Sequence, residues 1–258
     1  MKSIAHASAI ALSLALCTAV HGAAPPKMPA SIAKAAADPA RAEDAKIDAR
    51  RKGPEIIALA GLKPGQRVLE LIPGGGYFTR LFSKVVGPAG HVYTVWPVEY
   101  DKESHPDSDS LRKLATQPGW TNISVDVQPA NALVAPKPVD VVFTSQNYHD
   151  YPDKFMGPTD TAVLNKAVFA ALKPGGVYVI VDHAAEPGSG LRDTETLHRI
   201  DEATVKQQVL AAGFVFAGGS DVLRNPADDR KVKVFDKAIR GHTDQFVLVF
   251  RKPATASH

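Results

Sequence analysis

Residues 69–81 read LELIPGGGYFTRL: an apolar run carrying Glu70, three consecutive glycines (Gly74, Gly75, Gly76), and then an amphipathic run. A strand, a glycine-rich turn and a helix in that order form the first unit of a parallel α/β sheet, with the turn at the carboxyl edge where such sheets bind ligands. Glycine allows positive φ and places no side chain between backbone and ligand. A phosphate-binding loop would close with Gly-Lys-Ser/Thr, whereas Tyr77 and Phe78 follow here. A dinucleotide fingerprint would need a third glycine where Thr79 stands. Glu70 immediately before the loop disfavours phosphate and favours an ammonium or hydroxyl group, so the loop suits a cationic nucleoside without phosphate.

The rest of the chain extends this unit. Apolar strand-like runs (RVLELI, HVYTVW, NISVDV, VDVVFTS, GVYVIVD, FVFAGGS, QFVLVF) are separated by helical patterns at 77–86, 110–116, 161–172 and 202–212. The expected architecture is a Rossmann-like, seven-stranded, mainly parallel sheet with helices on both faces. No helical pattern lies between the last two strands, which predicts an antiparallel final strand over Gln245–Phe250. The segments GLKPGQRVLEL and ALKPGGVYVIV each hold a Pro-Gly turn before a strand, which places both turns at one sheet edge.

The amino terminus has a different character. Lys2 precedes an apolar run from Ile4 to Val20 followed by small residues, the pattern of a secretory signal peptide over 1–23 with cleavage after Gly22 or Ala23. The run is too short and alanine-rich for a membrane anchor. Cys17, the single cysteine, lies inside it, so a cleaved chain carries no thiol. Residues 24–60 read as a Pro/Ala-rich tether from Ala23 to Ser31, a helix opened by Asp38-Pro39 and ending near Arg51, and a second helix begun by Pro54 and closed by Gly61. The domain proper is 61–258. Net charge is +3 with no run of like sign, so nothing points to nucleic acid or to a stable membrane partner after cleavage. The expected location is periplasmic or secreted.

The acidic strand end, the glycine loop and the ALKPGGVYVIV turn and strand resemble the class I S-adenosylmethionine-dependent methyltransferases over about 68–250. More narrowly, PGGGYFT, NYHDY, VDHAAEPGSG, LHRID and DVLRNPADDR are similar to a group of exported bacterial proteins described as predicted methyltransferases. The resemblance implies S-adenosyl-L-methionine as cofactor, with donor contacts from Glu70, Gly74, Gly75, Gly76 and Asn147; it implies no particular substrate, and the expected partner is a small-molecule acceptor. That family commonly ends its second strand with a ribose-binding acid. Trp96 stands there in this chain, which leaves Glu99 as the ribose candidate and Asn131 as the adenine candidate.

Parallel geometry brings NYHDY, after the fourth strand, toward Asp182 and His183, after the fifth. Imidazole takes a proton near neutral pH, so His149 is the first candidate for general base and His183 the second. His149, Asp150, Asp182, His183 and His198 are also metal-ligand types, although no compact motif such as His-Glu-x-x-His joins them. Asp201 reads as a helix cap, His198 and Arg199 as part of a lid, and Arg224 and Arg230 as ion-pair partners of Asp228 or Asp229. Two functions remain: a methyltransferase with an unidentified acceptor, or an exported small-ligand-binding protein that uses the same cleft without transfer.

Overall fold

The computed structural model describes residues 28–157 and 159–254. The signal-peptide expectation therefore lies outside the described residues. The strands are β1 Arg67–Leu71, β2 His91–Pro97, β3 Ile123–Gln128, β4 Val139–Ser145, β5 Leu172–His183, β6 Val215–Ser220 and β7 Gln245–Arg251. They form one sheet in the order β3-β2-β1-β4-β5-β7-β6. The pairs from β3 through β5 are parallel, while β7 runs antiparallel to both β5 and β6, as the missing helical pattern before it implied. Strand order reverses between β1 and β4, and a crevice opens at such a reversal outside the carboxyl ends of the strands.

Around the sheet lie α1 Ala30–Ala36, α2 Ala42–Arg51, α3 Gly53–Ala60, α4 Tyr77–Val86, α5 Val98–Ala115, α6 Thr161–Ala171, α7 Thr194–Leu197 and α8 Glu202–Ala211. Alternation along each strand sends Val68, Val141, Phe143, Val179 and Val181 to a core completed by α1, α3 and α4. Leu69, Leu71, Val142, Tyr178 and Ile180 face the opposite core, completed by α5, α6 and α8.

Sequence caps act where expected: Asp38 accepts from Ala40 N at 2.9 Å and Asp201 from Ala203 N at 3.2 Å. Gly61 closes α3 at φ +64°. Two boundaries differ. Helix α1 begins at Ala30, inside the stretch read as tether. Helix α5 begins at Val98, directly after β2, rather than near Ser110. Glu99 and Asp101 in its first turn favour that start, and the helix continues through Pro106. Among the described residues, no helix is long and apolar enough to cross a membrane.

Candidate functional site

The glycine loop takes the backbone its composition anticipates. Gly74 has φ +55° and Gly76 φ +78°, and a Cβ at Gly74 or Gly75 would meet nothing within 4 Å. Gly76 differs, because a Cβ there would stand 2.5 Å from Leu111 Cδ2 of α5. Its lack of a side chain lets α5 close on the loop. Ile72 enters the loop at φ +50°, an unusual conformation for a β-branched residue. Arg80 of α4 donates to Gly75 O at 2.8 Å, and Asp44 of α2 grips the same guanidinium through two 2.6 Å bonds.

Glu70 does not line the cavity beside this loop. It shares the Val68 face of β1, is buried, and accepts from Thr79 Oγ1 at 2.6 Å. Burial pushes its carboxyl up to about 8, against the pull of that hydrogen bond and of Arg51 and Arg80. Trp96 is fully enclosed in the α5-side core, with its Nε1 unpartnered. Glu99, three residues on, accepts from Ala130 N at 3.2 Å, which draws the end of β2 to the turn carrying exposed Asn131.

The crevice at the strand reversal holds a cavity of about 470 Å³, within the size range of small-molecule sites. Its polar floor contains Gln146, Asn147, His149, Asp150, His183 and His198, and Tyr100, Phe155 and Phe235 supply aromatic walls. Asn147 Nδ2 donates to Ile72 O at 2.8 Å, so the floor and the glycine loop are directly bonded. Gln146 and His198 both adopt positive φ, at 65° and 53°. With Ile72 they make three non-glycine residues of strained backbone around one site, the distribution expected where surrounding structure enforces a functional geometry.

His149 and His183 converge as the strand order predicts, with ring centroids 6.0 Å apart, but their surroundings are opposite. His149 is buried with Nδ1 2.7 Å from Asp182 Oδ1 and Nε2 3.2 Å from Asp150 Oδ1, and its backbone N donates to Asp182 Oδ2. Burial alone would lower its pKa; the two carboxylates overcome this and hold it well above the usual histidine value. His183 is buried with Nδ1 2.7 Å from Thr243 Oγ1. Burial, the charge on His149 and Arg199 hold its pKa well below the usual value. Its Nε2 has no hydrogen bond among the described residues.

His198 approaches Asp150 Oδ1 at 3.6 Å and stands edge-on to His149 at 5.4 Å. Arg199 is not part of an open lid: it is fully buried and forms a two-point pair with Asp228 at 2.8 and 3.1 Å. Arg224 and Arg230 turn instead to Asp244, at 3.5 and 2.7 Å, and Arg224 also pairs with Glu202. The aromatic walls and the Asp44–Arg80 clamp escaped sequence reasoning because their partners are distant in the chain.

Comparison with known proteins finds relatives of low identity. The chain is 29% identical over 198 residues to the ubiquinone/menaquinone biosynthesis C-methyltransferase UbiE of Vibrio cholerae serotype O1, a match covering 74% of this chain and 64% of the relative. It is 26% identical over 162 residues to the protein-L-isoaspartate O-methyltransferase of Ignicoccus hospitalis, covering 62% and 66%. The chain thus spans slightly less than two thirds of either relative. A solved SAM-dependent methyltransferase from Aquifex aeolicus shares the fold at a TM-score of 0.56 and 19% identity, over 85% of this chain and 96% of that one. No family model matches.

Proposed function

We propose that this chain transfers a methyl group from S-adenosyl-L-methionine to a small acceptor in the histidine cavity, a reading supported by the methyltransferases among its relatives and the SAM-dependent methyltransferase among its structural neighbours. One observation carries the reading: the Asn147–Ile72 hydrogen bond joins an open, positive-φ glycine loop to a cavity with a polar floor at the strand reversal. The donor when bound supplies an electrophilic methyl on a sulfonium. Gly74 and Gly75 would leave its path clear, Glu99 and Asn131 would flank its nucleoside end, and Asn147 would face its reactive end. Glu70 acts from behind the loop, through Thr79 and α4.

Transfer would form a bond from the acceptor's lone pair to the methyl carbon as the carbon–sulfur pair returned to sulfur, and the acceptor's proton would need a base. The preference between the histidines reverses here. Both ring nitrogens of His149 are engaged by carboxylates, so it positions its neighbours. In the tautomer that donates Nδ1–H to Thr243 Oγ1, 2.7 Å away, His183 presents an Nε2 lone pair at the cavity and is the residue to take the proton. Tyr100, Phe155 and Phe235 favour a flat apolar acceptor. The two named relatives act at different atoms, one a C- and one an O-methyltransferase, so the acceptor atom is not carried over from them.

Calorimetric titration with S-adenosylmethionine, with NADH as control, tests donor binding. Binding of the first and not the second is expected, and Gly74→Val, which forces a branched side chain to φ +55°, abolishes it in a folded protein. His183→Ala loses turnover by about a hundredfold to ten-thousandfold with donor affinity retained. Absence of donor binding overturns the proposal. The enclosed Trp96 favours a second reading, a binding protein without transfer, which donor affinity without turnover would support. The apolar run after Lys2 further supports export to the periplasm or beyond, which mass spectrometry tests by an N-terminus near Ala23 or Ala24 in protein recovered from its source.

A further inference from the structure

Three ligand atoms of the cavity floor, from His149, Asp150 and His198, lie within 4.8 Å of one another. Asp150 Oδ1 is the hub, 3.2 Å from His149 Nε2 and 3.6 Å from His198 Nδ1. Donors roughly 2.0–2.1 Å from a tetrahedral cation stand about 3.3 Å apart, so the two separations from Asp150 are close to those of a shared ion, and the two imidazoles lie within 4.8 Å of each other. His149 is oriented as metal-binding histidines are: its far nitrogen, Nδ1, is held by Asp182 at 2.7 Å, which fixes the ring and aims Nε2 at the hub.

Charge accounting points the same way by a separate route. Asp150, Asp153 and Asp182 are all buried, and none has a Lys or Arg partner among the described residues. Asp153 gives one oxygen to Thr194 Oγ1 at 2.6 Å, while its Oδ2 is buried without any hydrogen bond. The buried guanidinium nearby, Arg199, is committed to Asp228. His149, set between Asp150 and Asp182, offsets part of this charge when protonated, and a metal ion on its Nε2 would supply that positive charge in the proton's place.

From this geometry we infer that His149 Nε2, Asp150 Oδ1 and His198 Nδ1 form a binding site for a divalent first-row transition metal, with Asp182 orienting the first ligand. Two imidazoles and one carboxylate suit zinc, manganese, iron(II) or cobalt rather than calcium or magnesium. Three protein ligands leave coordination positions open toward the cavity. Combined with the transferase reading, on which this last step rests, the open positions select an acceptor that ligates through oxygen, with the metal lowering the cost of its deprotonation. His183, anchored to Thr243, stays outside the ligand set and remains available for the proton.

The test uses the mature chain, stripped with a chelator and dialysed, then titrated with zinc, manganese or cobalt chloride while metal content is measured after dialysis. One equivalent of zinc or cobalt is expected, and cobalt adds a visible absorption band that acetohydroxamate shifts by occupying the open positions. His198→Ala, at a partly exposed position, and Asp150→Asn should each weaken cobalt binding at least a hundredfold. Asp182→Asn should weaken it by about ten- to a hundredfold, as removal of an orienting partner does. His242→Ala, at an exposed position outside the ligand set, should leave it unchanged. Thermal unfolding verifies that each variant is folded. Failure to retain one equivalent, or retention of wild-type affinity in folded His198→Ala and Asp150→Asn, overturns the site. Donor titration of the metal-free protein is read separately, so a failed transferase reading and a failed metal site give different results.

Discussion

Glu70 is the ionisable group whose environment departs furthest from its expected role. Its unfolded value is 4.5 and its folded value is pushed up to about 8 by burial, with Thr79, Arg51 and Arg80 only partly offsetting. A raised folded pKa means that stability is fully present below pH 4.5 and declines as pH rises toward 8, because the unfolded chain releases the proton first. Glu70→Gln keeps an acceptor for Thr79 and has no proton to lose. Urea unfolding between pH 5 and 8.5 should therefore show a falling midpoint for wild type and a flatter one for the variant, which becomes the more stable protein at pH 8.5. Equal pH dependence in the two would show that Glu70 ionises normally. The strand-end carboxylate was legible in the sequence and so, by alternation with Val68, was the face of β1 it occupies. The meeting of His149 with His183 was legible too, since both follow strands of one parallel sheet. What distinguishes them was not, because it depends on Asp182 below one ring and on Thr243, 60 residues away, beside the other.

Between elements, the N-terminal helices do more than extend the domain. Asp44 holds Arg80, Arg80 holds the Gly75 carbonyl, and buried Arg41 braces α2 through Asp48 at 3.0 Å, with Tyr77 of α4 donating to the same Asp48 oxygen at 2.5 Å. Helix α2 thereby fixes α4 and the loop that precedes it. Asp44→Ala frees a partly buried guanidinium and should cost about 1–3 kcal/mol in urea unfolding. It should also weaken S-adenosylmethionine by about tenfold in calorimetry, which corresponds to 1.4 kcal/mol, with no change in metal affinity. Undiminished donor affinity would make the clamp purely structural. Caps and turn glycines disclosed these helices, since cap chemistry is local. The contacts joining α2 to α4 were hidden because Asp44–Arg80 spans 36 positions and Asp48–Tyr77 spans 29. Of helix α5 only the 110–116 part was legible; its first turns, with Glu99 and Asp101, run through Pro106, and Leu111 packs over Gly76.

The antiparallel β7 gives the chain as a unit its asymmetry. To reach the gap between β5 and β6 the backbone must return along residues 221–244, and that return brings Phe235 to the cavity wall, Thr243 to His183, and Asp228 to Arg199. Arg199 secures this path: beyond its two bonds to Asp228 it donates to Ala184 O and Val232 O, linking the end of β5 to the returning segment. The sequence indicated an irregular connection here and local ion pairs within it. The actual partners are 29 residues apart for Arg199–Asp228 and 20 for Arg224–Asp244, which only the completed sheet brings together. Removing one member of a buried pair leaves an uncompensated charge and costs about 3–5 kcal/mol, whereas replacing both with apolar residues is often neutral. Arg199→Ala should accordingly lower stability by that amount in urea unfolding. Arg199→Met combined with Asp228→Leu should recover much of the loss, though less than fully, because Asp228 also accepts from the backbone of Arg230 and Asp244. If Arg199→Ala costs less than about 1 kcal/mol, the return segment is only loosely joined to the sheet, and its residues would no longer be expected to hold His183 or wall the cavity in a fixed geometry.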